Sequence, residues 1–179
     1  MGCSAIGKIG KLEEYKKQLE GDIRDYEIYL QEKDSEIEQL NSQLANEEKE
    51  IRANKHSYTQ QQKIDKAKKL MPILIEKFRI ESLANYTRKF TQTLKLNLEM
   101  IEKKIQQMKF HRNLKKANEI AKEFDDVDTE EEIKINLNAM INENEKTKKE
   151  IELMNSGIIA INKDKGMPDI DSYLKKLFN

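Results

Sequence analysis

A chain of 179 residues with 37% charged and 37% hydrophobic side chains, six Gly, two Pro and no Trp does not compose like a compact globule; such domains carry about 25% charged and 45–50% apolar residues. Its net charge is zero but unevenly spread, −6 over residues 1–50, +12 over 51–122 and −6 over 123–179, so a basic middle can pair with acidic flanks or face an acidic surface. The lone cysteine, Cys3, excludes an internal disulfide and fits a reducing compartment, and the longest apolar run, Leu70 to Ile75, falls far short of the ~18–20 residues that span a bilayer.

The chain opens Met1-Gly2-Cys3. Removing Met1 exposes Gly2 as an acceptor for N-myristoylation, with Cys3 beside it as an acceptor for S-palmitoylation. One acyl chain holds a protein to a membrane only marginally, and two hold it stably. Ile6 departs from the Ser or Thr usual at that position. Residues 1–10 lack the apolar stretch of a secretory signal and read as a lipid-anchor leader.

A first helix is predicted over Lys11 to Asn54. Ile23, Leu30, Ile37, Leu44 and Ile51 repeat every seven residues, with Leu12, Leu19, Tyr26 and Leu40 in the complementary row. This is a coiled-coil seam over about five heptads, roughly 65 Å long. Asn54 to Gln62 lacks an apolar stripe and reads as a turn. A second arm follows over Lys63 to Phe124, where Leu94, Leu98, Ile101, Ile105 and Met108 keep a four-three spacing. Pro72 is expected to kink this arm or mark its first turn, because it cannot donate to the carbonyl four residues back. Residues 11–124 thus form a long antiparallel hairpin core, acidic arm against basic arm. A nucleic-acid partner is not expected: only Phe90 and Phe110 could interleave with the basic face, and both fit a seam.

Asp125 to Asp128 reads as an acidic link. Thr129 and Glu132 have capping-box spacing and predict the next helix start. Ile133, Leu137, Met140, Ile141, Ile151 and Met154 give that helix a discontinuous apolar face, and Asn155-Ser156-Gly157 ends it, so residues 125–157 form one region. Residues 158–179 hold a second, flexible link and a last helix beginning near Asp169. There Ile170, Tyr173, Leu174, Leu177 and Phe178 make a full apolar face on barely three turns. So short a helix is marginal alone and must dock, most economically on the hairpin. The fold class read from these elements is all-α.

His56, His111 and Cys3 offer no metal-ligand spacing, and the six glycines form no phosphate loop. No catalytic residue, metal or cofactor is expected, and the chain does not read as an enzyme.

The order of elements resembles the ESCRT-III subunits, the charged multivesicular body proteins, over roughly residues 10–178. KIDKAKKL (63–70) is similar to the basic opening of the family's second helix, and LNLEMIEKKIQQMKFHRNLKKANEIAKEF (96–124) to the rest of that arm. DTEEEIKINLNAMINENEKTKKEIELMNSG (128–157) resembles the fourth helix and DIDSYLKKLF (169–178) the short fifth helix that folds back on the hairpin. The Met-Gly start is most similar to the family's myristoylated nucleating subunit. The resemblance implies a cytoplasmic protein, peripheral on the endosomal membrane, that forms filaments for budding, scission and multivesicular body formation. It implies as partners acidic lipids, other ESCRT-III subunits, ESCRT-II and a disassembling AAA ATPase, and a closed state that opens to polymerise. Three features depart from the pattern: the acidic first arm, Pro72, and an ending at the fifth-helix match, where the tail for the ATPase is expected; Met167-Pro168-Asp169-Ile170 weakly resembles a proline-containing form of its motif. The competing reading is a structural coiled coil or a membrane tether.

Overall fold

The computed structural model describes residues 2–120, 132–158 and 166–179. All regular structure among them is helical: α1 (Gly2–Ala53), α2 (Gln60–Ile120), α3 (Leu137–Asn155) and α4 (Ile170–Phe178), with a single 3₁₀ turn at Lys55–Ser57. The arms α1 and α2 form the hairpin-like arrangement, and the chain packs as two compact units, Met1–Tyr26 with Phe90–Lys148 and Glu27–Lys89 with Lys149–Asn179. The antiparallel sense is visible inside the first unit, where Glu13 pairs with Lys109 and Lys16 with Glu102.

Both long arms start earlier than expected. The first arm begins at Gly2, not Lys11, so the leader continues into the arm, and Ile9 and Tyr15 join the buried row. The second begins at Gln60, not Lys63, because Thr59 and Gln62 form a reciprocal capping box: the Gln62 N–H donates to Thr59 Oγ1 (3.2 Å) and the Thr59 N–H to Gln62 Oε1 (2.9 Å). The turn therefore shrinks to Asn54–Thr59. Here the Ser57 N–H and hydroxyl both donate to the Asn54 carbonyl, at 3.0 and 2.7 Å. Pro72 lies inside α2, neither at its first turn nor at a break. It and Lys68, whose carbonyl loses its usual donor, are both exposed, where water can replace the missing bond.

In the first unit the core is the heptad seam itself. Leu12, Leu19 and Ile23 of α1 and Phe90, Leu94, Ile101 and Ile105 of α2 are buried, and the Tyr26 and Phe90 rings meet edge-on at 5.5 Å. Phe110, expected in a seam, is instead exposed. The charge split contributes modestly to arm pairing. Glu13–Lys109 here and Asp34–Arg88 in the second unit join acidic α1 to basic α2, but Lys16–Glu102 runs the other way. Exposed pairs of this kind contribute about 0–1 kcal/mol each, so apolar burial dominates.

The capping box expected at Thr129 and Glu132 does not open α3. Thr129 lies outside the described residues, Glu132 belongs to the irregular run 132–136, and the helix starts at Leu137. Asn136 is the cap, its Oδ1 accepting from the Ala139 N–H at 3.1 Å. The run before it is held by α2, with the Ile133 N–H donating to Gln107 Oε1 (3.0 Å) and Glu132 pairing with Lys104 (3.5 Å). The other end of α3 stops as read. Gly157 takes φ +77°, the Ile158 N–H donates to the Leu153 carbonyl and the Gly157 N–H to Met154. These two bonds form a Schellman motif.

The gaps in the apolar face of α3 have a purpose. Leu137, Ile141, Asn144, Lys148 and Ile151 keep four-three spacing, so Asn144 and Lys148 stand in the seam. Buried Asn144 donates to the Tyr15 hydroxyl at 2.7 Å, with Asn97 donating to its Oδ1 at 3.4 Å. Burial raises the Tyr15 pKa, and the Asn144 bond only partly offsets this. Lys148 pairs with Asp22 and Glu145. Burial opposes its charge, but those carboxylates outweigh it and hold the ammonium pKa above its usual value. A polar residue at a seam position fixes register at a cost in stability.

Candidate functional site

The second unit carries the site around α4. Asp169 caps this helix from an extended backbone, accepting the Ser172 N–H at 2.9 Å, and that bond holds its carboxyl below the usual range. Before it, Gly166 sits at φ +86°, a conformation that side chains rarely adopt, and a Cβ there would come within 3.2 Å of the Phe78 ring. The backbone thus bends at Gly166, close against Phe78, just before α4. The stretch Met167–Ile170 has a structural task here: Asp169 caps the helix and Ile170 packs beneath it.

The apolar face docks as expected. Tyr173 and Leu177 are buried among Leu44 and Ile51 of α1 and Ala67 and Leu70 of α2, with Ile170, Leu174 and Phe178 packed at the margin. The expected seam residue Ile51 thus serves both the hairpin and α4. Burying Tyr173 and Leu177 contributes about 1.5–3 kcal/mol each. The polar rim comes from one turn of α1. The Tyr173 hydroxyl donates to Glu48 Oε1 at 2.8 Å. Arg52 donates through Nε to the Leu177 carbonyl and through Nη2 to that of Lys176, each at 3.3 Å, and pairs with Glu48 at 3.5 Å. The last carbonyls of a helix have no partner within it and carry its negative pole, so a guanidinium there supplies both donors and charge. The Lys63 ammonium lies 5.5 Å from the Phe178 ring centroid. Burial, and then the Glu48 carboxylate, push the Tyr173 pKa well above its ordinary value.

Also in this unit, Tyr86 donates to Glu150 at 2.6 Å and Tyr29 to Asn155 at 3.1 Å, tying down the end of α3. The Glu150 bond, with burial second, pushes Tyr86 up to about 12.

Gly2 and Cys3, the predicted lipidation residues, open α1 in the first unit and are not part of this site. Glu48 and Arg52 were not legible as its partners. The available signal was Tyr173, since a tyrosine at the centre of a buried face needs a partner for its hydroxyl. Among the described residues no group of His, Cys, Asp and Glu could hold a metal ion, and no helix is long and apolar enough to cross a membrane. No family model, curated protein or solved structure matches the chain.

Proposed function

We propose that this chain is a lipid-anchored, ESCRT-III-like filament subunit, most similar to the nucleating subunit, charged multivesicular body protein 6. In this reading acyl chains on Gly2 and Cys3 and the basic second arm hold it to the cytosolic, acidic face of an endosomal membrane. There it nucleates or joins filaments for budding and scission with other ESCRT-III subunits, ESCRT-II and a AAA ATPase. The observation that carries the reading is the docking of α4: two buried side chains and a rim built from Glu48 and Arg52 hold a nine-residue helix on the hairpin. A docking energy of a few kcal/mol suits an element that a membrane or partner can displace, and displacement exposes an apolar strip for assembly. A structural coiled coil or tether gives α4 no such role.

The test is flotation with membranes of the cell-expressed protein and its Gly2→Ala and Cys3→Ser variants, with mass spectrometry of the N-terminus and light scattering of the unbound protein. The expected results are an acylated Gly2, flotation lost in Gly2→Ala and reduced in Cys3→Ser, and a monomer in solution. An unmodified Gly2 with equal flotation of all three removes the anchor, and a stable elongated dimer favours the structural coiled coil.

A further inference from the structure

Helix α2 runs unbroken through Pro72. A proline inside a helix donates no bond to the carbonyl four residues back, here that of Lys68, and its ring crowds that carbonyl. It also disfavours the helical conformation at the residue before it, here Met71. Gln60–Met71 is therefore joined to the rest of α2 through a weak step, and a helix of this length is marginal alone in water, where about 12–15 residues are needed. Its charge weakens it further. Lys63, Lys66 and Lys69 stand three residues apart on one face, with Lys68 beside them and Asp65 as the one acid in the segment. Like charges at helical neighbour spacing oppose the helix.

The packing shows what holds these turns. Of residues 60–71 the buried ones are Ala67 and Leu70, and both lie in the cluster that Tyr173 and Leu177 of α4 complete. Met71, just before the proline, and Ile73 and Leu74, just past it, pack against the same cluster. The cluster thus straddles Pro72. Phe178 adds its ring 5.5 Å from the Lys63 ammonium. Further along, α2 has buried residues outside this cluster, Leu83, Ala84 and Thr87, so its hold there does not depend on α4. With α4 gone, Leu44 and Ile51 of α1 would be the remaining buried partners of Ala67 and Leu70, and water would take the place of Tyr173 and Leu177.

We infer that α4 is a clamp across a proline hinge: docked, it keeps Gln60–Met71 continuous with the rest of α2, and when it leaves, this segment opens as a unit at Met71–Pro72. The clamp requires only the docked α4, and neither a membrane nor a filament. Whatever displaces α4 then also releases the basic opening of the second arm, Lys63 to Lys69, from its helix, so one event changes two surfaces. Stability of this kind is local: the segment opens while the arms beyond it stay folded.

The test is amide hydrogen exchange, read by NMR on the full chain, for the parent, Leu177→Asp, Pro72→Ala and the combined variant. An unpaired carboxylate is costly to bury, so Leu177→Asp expels α4, as fast exchange across residues 171–178 reports. In that variant the amides of residues 64–71 should exchange about tenfold faster or more than in the parent, with those of 76–89 within about twofold. Alanine at position 72 restores the missing donor. In the combined variant the amides of 64–71 should therefore return to within about threefold of the parent while those of α4 stay fast. Pro72 is exposed, so Pro72→Ala alone should fold as the parent does and exchange no faster at 64–71. Acceleration that extends evenly to 76–89 overturns the proposal, because the hairpin then loosens without a hinge. So does acceleration that persists in the combined variant, which leaves the proline no part in it. Unchanged exchange at 64–71 in Leu177→Asp overturns it as well, whether α4 is released or stays protected.

Discussion

The Tyr173 hydroxyl donates to the Glu48 carboxylate across 2.8 Å and so joins the last helix to the first. Glu48 in turn holds Arg52, whose guanidinium closes the carbonyl end of the same helix. One turn of α1 thereby reads both the middle and the end of α4. Replacing Tyr173 with Phe keeps the ring and deletes the bond. Hydrogen bonds to charged groups contribute about 1.5–3 kcal/mol, so exchange of the amides in residues 170–178 should accelerate at least tenfold, with α3 unchanged. Arg52→Ala should act on the same amides.

Leu177 is nearly inaccessible in the α4 cluster. Truncating a buried leucine costs about 2–5 kcal/mol, comparable to the whole docking energy. Leu177→Ala should therefore release α4 altogether. Limited proteolysis after Lys175 or Lys176 should become fast, while melting of the long arms is barely affected.

The two tyrosines bonded to carboxylates set an alkaline limit. Tyr173 and Tyr86 have pKa values raised above the ordinary 10, by burial and Glu48 in the first and by Glu150 and burial in the second. A raised pKa means that the folded state holds the proton more tightly, so this stabilisation is complete below about pH 10 and fades as pH rises through the folded values, about 12 for Tyr86. Phenolate absorbance should show these two titrating late. Tyr86→Phe and Tyr173→Phe should each remove part of the late component, leaving that of Tyr15, which burial also raises.

Asn144 tests the polar seam of α3. Asn144→Ala leaves the buried Tyr15 hydroxyl without its 2.7 Å donor, which should cost about 1–3 kcal/mol and lower the midpoint of thermal unfolding. Asn144→Leu restores apolar packing but removes the register pin. Its expected signature is a melt at least as high as that of Asn144→Ala, with broadened NMR resonances along α3.

Much of the fold was legible because burial follows spacing. Leu19, Leu94 and Ile101, picked by the seven-residue repeat, are fully buried, and the i, i+3, i+4, i+7 face of α4 docks through Tyr173 and Leu177. What was missed depends on local polar bonds that periodicity does not carry. Thr59–Gln62 and Thr129–Glu132 have the same spacing, but the first forms a reciprocal cap, while Glu132 is drawn off to Lys104 and Asn136 caps instead. Asn144 and Lys148 looked like gaps because their partners, Tyr15 and Asp22, lie more than a hundred residues away in sequence. Phe110 was placed in a seam and is exposed instead. In the site, the apolar half was readable and the Glu48–Arg52 rim was not, since charged residues on an acidic arm give no hint of which one faces inward.

The most direct measurement is electron microscopy of phosphatidylserine-containing vesicles incubated with N-myristoylated protein, wild type and Leu177→Ala. The account predicts curved filaments on the vesicles, formed by Leu177→Ala at a lower protein concentration than by wild type, because releasing α4 frees the assembling state. Vesicles that bind both proteins yet carry no filaments at any concentration, or that cluster without filaments, would contradict it.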